Sequence, residues 1–191
     1  MQAEASGAVE RVRSGDNEAF RLLVEQHSRA IFRLAYRMTG NEEDAEDVVQ
    51  ETFLKAYRQI DRYEARASFS TWLYAIASNC SLDLIRKRKT RERNRDRGPD
   101  PDRDVLVSIP ASTPGPDREL YSSQISVCVH AALDELSGQE RTAFILRHFE
   151  GLSIEEIGLT LGTGASATKH SIFRAVQKLR RSLEPLVSSS R

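Results

Sequence analysis

The stretch Leu152-Ser153-Ile154-Glu155-Glu156-Ile157-Gly158-Leu159-Thr160-Leu161-Gly162-Thr163-Gly164, with the pattern that follows it from about Ser166 to Leu183, decides the fold. Ser153 and Glu156 have the S-x-x-E spacing of a capping box, in which side chain and backbone satisfy each other's free groups at a helix start. Gly162-Thr163-Gly164 is a glycine-bearing turn. Beyond it, Ile172, Val176, Leu179 and Leu183 repeat at helical spacing, while Lys169, His170, Arg174, Lys178, Arg180 and Arg181 fall off that stripe. Two short helices joined in this way form a helix-turn-helix, whose second helix enters the DNA major groove. DNA is therefore the first partner to consider.

Working outward, helical periodicity fills almost all of the remaining chain and no strand pattern stands out. Asp16 is placed to cap a helix that buries Phe20, Leu23, Val24, Ile31, Leu34, Ala35 and Met38 and stops at Gly40. Asn41, with Asp44 three residues on, opens a second. Its apolar stripe is Ala45, Val48, Val49, Phe53, Ala56, Tyr57 and Ile60. After a loop over Asp61–Ala67, a third helix starts near Ser68 and buries Phe69, Leu73, Ile76, Ala77, Cys80 and Leu84. Three such helices share one core, giving a bundle over residues 8–90. From 91 to 119, Gly98, Pro99, Pro101, Pro110, Pro114, Gly115 and Pro116 mark a flexible linker. Periodicity returns with Ile125, Val129, Ala132, Leu133 and Leu136, then with Ala143, Phe144, Leu146 and Phe149 before Gly151. The expectation is an all-α protein of two small helical domains, an N-terminal bundle over 8–90 and a C-terminal helix-turn-helix domain over 120–186, with the tail from Ser188 frayed.

The totals exclude several classes. The 191 residues carry 28 Lys plus Arg against 28 Asp plus Glu, a net charge of zero, so the chain is no uniformly basic DNA coat. Charge is segregated instead, acidic over 42–51 and basic over 86–97, which implies different surfaces for different partners. Cys80 and Cys128 are too far apart for a CxxC metal site and are read as reduced thiols. The acids Glu42, Glu43, Asp44, Glu46 and Asp47 have no histidine at ligand spacing, and three of them favour the positive end of a helix dipole. No phosphate-binding loop is present. No metal, cofactor or catalytic group is expected. No apolar run reaches membrane-spanning length and no signal peptide precedes the first helix, so the expected location is the cytoplasm, without direct membrane insertion.

Three constellations carry chemistry. On the second helix, Asp47, Gln50, Glu51, Leu54 and Arg58 lie together opposite the apolar stripe. They read either as a solvated face or as a docking face with an apolar anchor and a negative rim, suited to a basic helical partner. The following segment mixes Arg62, Tyr63, Arg66, Phe69, Trp72 and Tyr74. Aromatic rings can receive unstacked bases beside arginines that hold the backbone, or Phe69 and Trp72 can simply be core. Asn79, Asp83, Arg86 and Lys87 follow on one polar side, where Asn and Arg are good readers of base edges. The basic run beyond them suits phosphates, or is a solvated tail. On the recognition helix, Lys169, His170, Ser171, Phe173 and Arg174 come early, toward the groove, with Lys178 and Arg181 better placed for phosphates.

These segments together resemble the extracytoplasmic-function (ECF) group of bacterial sigma factors, within the sigma-70 family. The likeness is carried by Asp47-Val48-Val49-Gln50-Glu51-Thr52-Phe53, by Phe69-Ser70-Thr71-Trp72-Leu73, by Ile76-Ala77 with Asn79 and Asp83, and by the run Glu140–Gly162. The resemblance implies a non-enzymatic transcription initiation subunit. Asp47, Gln50, Glu51 and Leu54 would dock on the clamp helices of the largest subunit of core RNA polymerase. Arg62, Tyr63, Arg66, Phe69, Asn79, Asp83 and Arg86 would recognise the −10 element and help open it, capturing a base whose unstacking costs a few kcal/mol. Lys169, His170, Ser171, Phe173 and Arg174 would read the −35 element, and the second domain would also contact the polymerase flap. An anti-sigma factor is the implied regulator. The recognition helix departs from the family pattern, with Thr168 at an apolar position and Ser171 in place of a second basic residue. The rival readings are a dimeric regulator at a palindromic site and a protein-only adaptor.

Overall fold

A computed structural model describes residues 2–95 and 128–188. Every regular element among them is helical: α1 (Gln2–Arg13), α2 (Asn17–Thr39), α3 (Glu42–Arg58), a 3₁₀ turn (Ile60–Arg62), α4 (Phe69–Arg95), α5 (described over 128–134), α6 (Gly138–His148), α7 (Ile154–Leu161) and α8 (Ala165–Ser188). The expected linker from residue 96 onward, Ile125 and the tail from Ser189 lie outside the described residues.

The capping signals act as their chemistry requires. The Asp16 carboxylate accepts from the Ala19 N–H at 3.1 Å, and the Asn41 side chain accepts from the Asp44 N–H at 3.0 Å. Both carry a free donor of a first helical turn. Gly40 ends α2 in the left-handed region at φ 78°, its N–H donating to Tyr36 at 2.8 Å. A β-carbon there would also stand 2.3 Å from the His130 ring, so glycine is required twice over. Ser137–Glu140 and Ser153–Glu156 both form complete, reciprocal capping boxes.

The structure corrects four expectations. A helix, α1, begins before the expected bundle and buries Val9 and Val12; with only these two apolar residues larger than alanine, its stripe is too weak to read. α4 continues past the expected end at 90 to Arg95, because Arg, Lys and Glu are good helix formers and no Gly or Pro intervenes before Gly98. On α3, Tyr57 is exposed and Thr52 takes the fully buried place, while the Tyr57 ring packs edge-on against Phe20 at 4.9 Å. On α6, Phe149 is exposed and Ile145 is fully buried.

The α6 result has an architectural cause. α6 packs against α7 and α8 on one side and against α2 on the other, and α7 packs on α4. Ala143, Ile145, Leu146, Leu152 and Ile157 belong to the same buried cluster as Leu23, Ile31, Leu34, Phe69 and Leu73. A smaller cluster of Ala132, Leu133, Leu136, Ala175 and Leu179 closes the far side. The two helical domains therefore share a continuous core, and α6 is apolar on more than one face because it is covered on more than one face.

Candidate nucleic-acid and protein-docking interfaces

The first candidate face lies along α3. Ala45, Val48, Thr52, Phe53 and Ala56 turn inward, so Asp47, Gln50, Glu51 and Leu54 must turn out, and all four are exposed. Leu54 keeps 52 % of its surface in water. These four line a groove of about 790 Å³ between α3 and the second half of α4, with Val48, Leu84 and Cys80 deeper and Lys87, Arg88 and Arg91 along the opposite wall. One wall is acidic and the other basic. Arg88 reaches across to Asp44 at 3.5 Å, whose carboxyl burial pushes above its usual value while the guanidinium opposes that. Lys55 holds Glu51 at 3.3 Å and stands 3.5 Å from the Cys80 sulfur. Burial pushes the Cys80 thiol up, with the Lys55 ammonium pulling the other way.

The second candidate face is the loop before α4 with the outer side of that helix. Arg62, Arg66, Asn79, Asp83 and Arg86 are exposed. Arg66 pairs with Glu64 at 2.7 Å and Arg86 with Asp83 at 2.7 Å, both in open solvent. Tyr63 and Phe69 are placed otherwise. Phe69 is 1 % exposed and Tyr63 is buried. Their rings meet edge-on at 5.5 Å, Trp72 lies 5.4–5.5 Å from both, and the His27 ring lies 5.4 Å from Phe69. The two aromatics expected to stack on bases thus have no free ring face here; they brace the loop from beneath. The Tyr63 hydroxyl donates to the Ala67 carbonyl at 2.9 Å, and Ala65 sits at φ 54°, a left-handed conformation that costs an alanine energy. His27 has no hydrogen-bond partner for Nε2, and its burial lowers its proton affinity.

The third candidate face is the start of α8. Lys169, His170, Phe173 and Arg174 are exposed, Phe173 at 63 %, and Ser171 is half-buried. Thr168 is fully buried: its hydroxyl donates to the Gly164 carbonyl at 3.1 Å and lies 3.0 Å from the Thr163 hydroxyl. It fixes the turn and stays off the exposed face that carries Lys169, His170 and Arg174. Gly158 makes that turn possible, since a β-carbon there would meet the Thr163 carbonyl oxygen at 2.8 Å. Lys178, expected at phosphates, is instead tied to the buried Glu140 carboxylate at 2.7 Å. Ala175, also missed, is the fully buried residue of the α8 stripe. Among the described residues there is no group of side chains able to hold a metal ion.

Comparison with known proteins decides what these faces belong to. Residues 23–91 match the family model of Sigma-70 region 2, and residues 126–179 match Sigma-70, region 4. The ECF RNA polymerase sigma factor SigW of Bacillus subtilis is 34 % identical over 97 % of this chain and all of its own length. The chain belongs to the ECF sigma factors. The ECF RNA polymerase sigma factor SigE of Mycolicibacterium smegmatis is 40 % identical over 83 % of this chain, which spans 59 % of that protein. Among solved structures, the sigma factor RpoE from Bartonella quintana, in complex with the anti-sigma factor NepR, superposes with a TM-score of 0.62 at 25 % identity, over 86 % of this chain and 96 % of that one.

As an ECF sigma factor the chain is a transcription initiation subunit and not an enzyme. Most of α2, α3 and α4 up to residue 91 carry the region 2 match, α1 standing before it, and α5–α7 with most of α8 carry the region 4 match. Between them stands a contact that sequence reading missed entirely. Glu150, in the turn after α6, is 4 % exposed and accepts from Arg37 of α2 at 2.6 Å and from the Tyr74 hydroxyl of α4 at 3.1 Å. Arg37 in turn lies 4.7 Å from the centre of the Phe149 ring. Burial and the facing carboxylate push the Tyr74 phenol up to about 12. No local pattern announces such a group; only the fold brings it together.

Proposed function

We propose that this sigma factor binds core RNA polymerase through Asp47, Gln50, Glu51 and Leu54, on the clamp helices of the largest subunit, and that the region 4 domain touches the flap. What supports the assignment is one observation: an exposed leucine stands in an acidic wall above a groove whose far wall is basic. Such a surface suits a helix that offers an apolar contact between charges of both signs. Arg62, Arg66, Asn79, Asp83 and Arg86 read and hold the −10 element, with Tyr63 and Phe69 as the floor that shapes the loop. Lys169, His170, Ser171, Phe173 and Arg174 read the −35 element in the major groove. The first domain, expected over 8–90, extends with α1 and α4 over 2–95, and the second runs over 120–186. By analogy with the solved pair of RpoE and NepR, an anti-sigma factor holds the chain inactive by covering polymerase and DNA faces. The site of action is the cytoplasm, where polymerase and promoters meet; no helix among the described residues is long and apolar enough to cross a membrane.

The test is transcription in vitro with purified core polymerase, with and without the chain, on a pool of bacterial promoter fragments. Defined transcripts that depend on the chain, sharing two unlike upstream elements, are the expected result. Tight binding to a symmetric site without polymerase, and no complex with core, would replace this reading with a dimeric regulator.

A further inference from the structure

The loop proposed to read the −10 element is held from outside the region 2 match, by Arg13 at the end of α1. Its Nη2 donates to three backbone carbonyls at once: Tyr63 at 2.5 Å, Ile60 at 3.2 Å and Asp61 at 3.3 Å. These carbonyls end the 3₁₀ turn, the negative pole of a helical segment, where a cation is favoured. Nε stands 4.0 Å from the Asp61 carboxylate, and Nη1 donates to Glu10 at 3.4 Å. α1 is itself fixed, by Val9 and Val12 in the core and by the ion pair of Arg11 with the capping Asp16 at 2.6 Å.

We infer that Arg13 is a positioning residue for promoter recognition: it sets the loop over 60–67 in the shape that reads the −10 element. The loop contains the strained Ala65 and presents Arg62 and Arg66 to solvent. A strained backbone persists only where its surroundings over-determine it. Here the surroundings are two. The Tyr63 hydroxyl ties the tyrosine to Ala67, at the far end of the loop, and the Arg13 fork pins the near end. The planar guanidinium suits that task, since Nη1 at Glu10 and Nε beside Asp61 hold the group in a fixed geometry while Nη2 shares its hydrogens among the three carbonyls. Arg13 need touch no base, because its effect reaches DNA through the loop.

This inference rests on the proposed role of the loop, so the test has two arms. In the free full-length chain, hydrogen exchange is followed at the Arg62 and Tyr63 amides, which donate to Gln59 and Ile60. Arg13→Ala is expected to speed their exchange roughly tenfold, leaving α2 and α4 protected. Unchanged exchange overturns the inference whatever the loop does. In the second arm, core polymerase carrying each variant is measured on a promoter fragment from the transcription pool and on the same fragment with its −10 element scrambled. Arg13→Ala is expected to keep core affinity within about twofold and to lower discrimination between the fragments by roughly tenfold. Arg13→Lys keeps the charge without the fork and is expected to restore only part. Full restoration by lysine, or discrimination unchanged in Arg13→Ala, would overturn it in favour of plain charge or a scaffold role. If the unaltered chain itself does not discriminate while exchange responds as expected, the pinning by Arg13 stands and the role proposed for the loop has failed.

Discussion

Glu150→Ala is the perturbation that most directly tests how the two domains are joined. The substitution removes a carboxylate whose two oxygens are each engaged across the interface, one by Arg37 and one by Tyr74. Breaking a fully buried ion pair costs about 3–5 kcal/mol. Arg37 is 30 % exposed, however, so water recovers much of its loss and about 1 kcal/mol remains on that side. The Tyr74 hydroxyl is enclosed and loses its acceptor, which costs about 1–3 kcal/mol. The sum is about 2–4 kcal/mol, or a fall in melting temperature of about 4–16 °C for a chain of this size. Circular dichroism gives the helix melt and Trp72 fluorescence reports the first domain separately. Tyr74→Phe is expected to lose about 1 kcal/mol, and a double-mutant cycle of Arg37→Ala with Glu150→Ala is expected to show coupling of about 1 kcal/mol. A melting shift under about 2 °C, or strictly additive losses, would show that the contact does not join the domains.

Leu54→Asp is expected to weaken core polymerase binding at least about tenfold while the melting temperature stays within a few degrees, because Leu54 lies off the core; unfolding on substitution would refute that placement. Arg174→Ala is expected to remove about 1–3 kcal/mol of base or phosphate contact and to lower −35-dependent transcription accordingly, measured against a promoter with that element altered. Gly158→Ala is expected to destabilise the helix-turn-helix by about 1–3 kcal/mol, since the new methyl meets a backbone oxygen; −35 binding should fall with core affinity retained, and unimpaired binding would show that the turn yields. Asp16 titrates below the usual carboxylate range because its carboxylate accepts from the Ala19 N–H and is held by Arg11. Its contribution is thus present above the ordinary carboxylate value and lost as pH falls through the lowered one; Asp16→Asn should flatten the acid limb of a melting-temperature profile.

Much of the fold was legible because capping and periodicity are local. Asp16, Gly40, Asn41, Ser153 and Gly162 announced helix ends through their own backbone chemistry, and Ala45, Val48, Phe53 and Ala56 announced the inner side of α3 by spacing. With the inner side fixed, the outer set of Asp47, Gln50, Glu51 and Leu54 followed. The exposure of Lys169, His170, Phe173 and Arg174 at the start of α8 was legible for the same reason. What failed depended on partners distant in sequence. Ile145 is buried because α2 covers a side of α6 that a single amphipathic stripe leaves open. Glu150 looks like a loop acid until Arg37 and Tyr74 close on it.

The aromatic residues around the second face show why composition misleads at such a site. Tyr63, Phe69 and Trp72 near arginines look like a stacking platform, since a ring that can cover a base is also a ring that can fill a core. The choice between those uses belongs to the surrounding packing. Here His27 of α2 takes one side of Phe69, Tyr63 and Trp72 take others, and Phe69 retains 1 % of its surface. A base could reach that ring only by displacing one of these neighbours from the core. The economical arrangement is the one found: the aromatics stiffen the floor, the Tyr63 hydroxyl and the Arg13 fork fix the backbone above it, and short polar and basic groups are left outward. Rigidity in the supporting shell is what lets a loop discriminate, because a flexible loop would adapt to any sequence offered. It follows that substitutions beneath the loop should damage selectivity, whereas substitutions of Arg62 or Arg66 should first damage affinity.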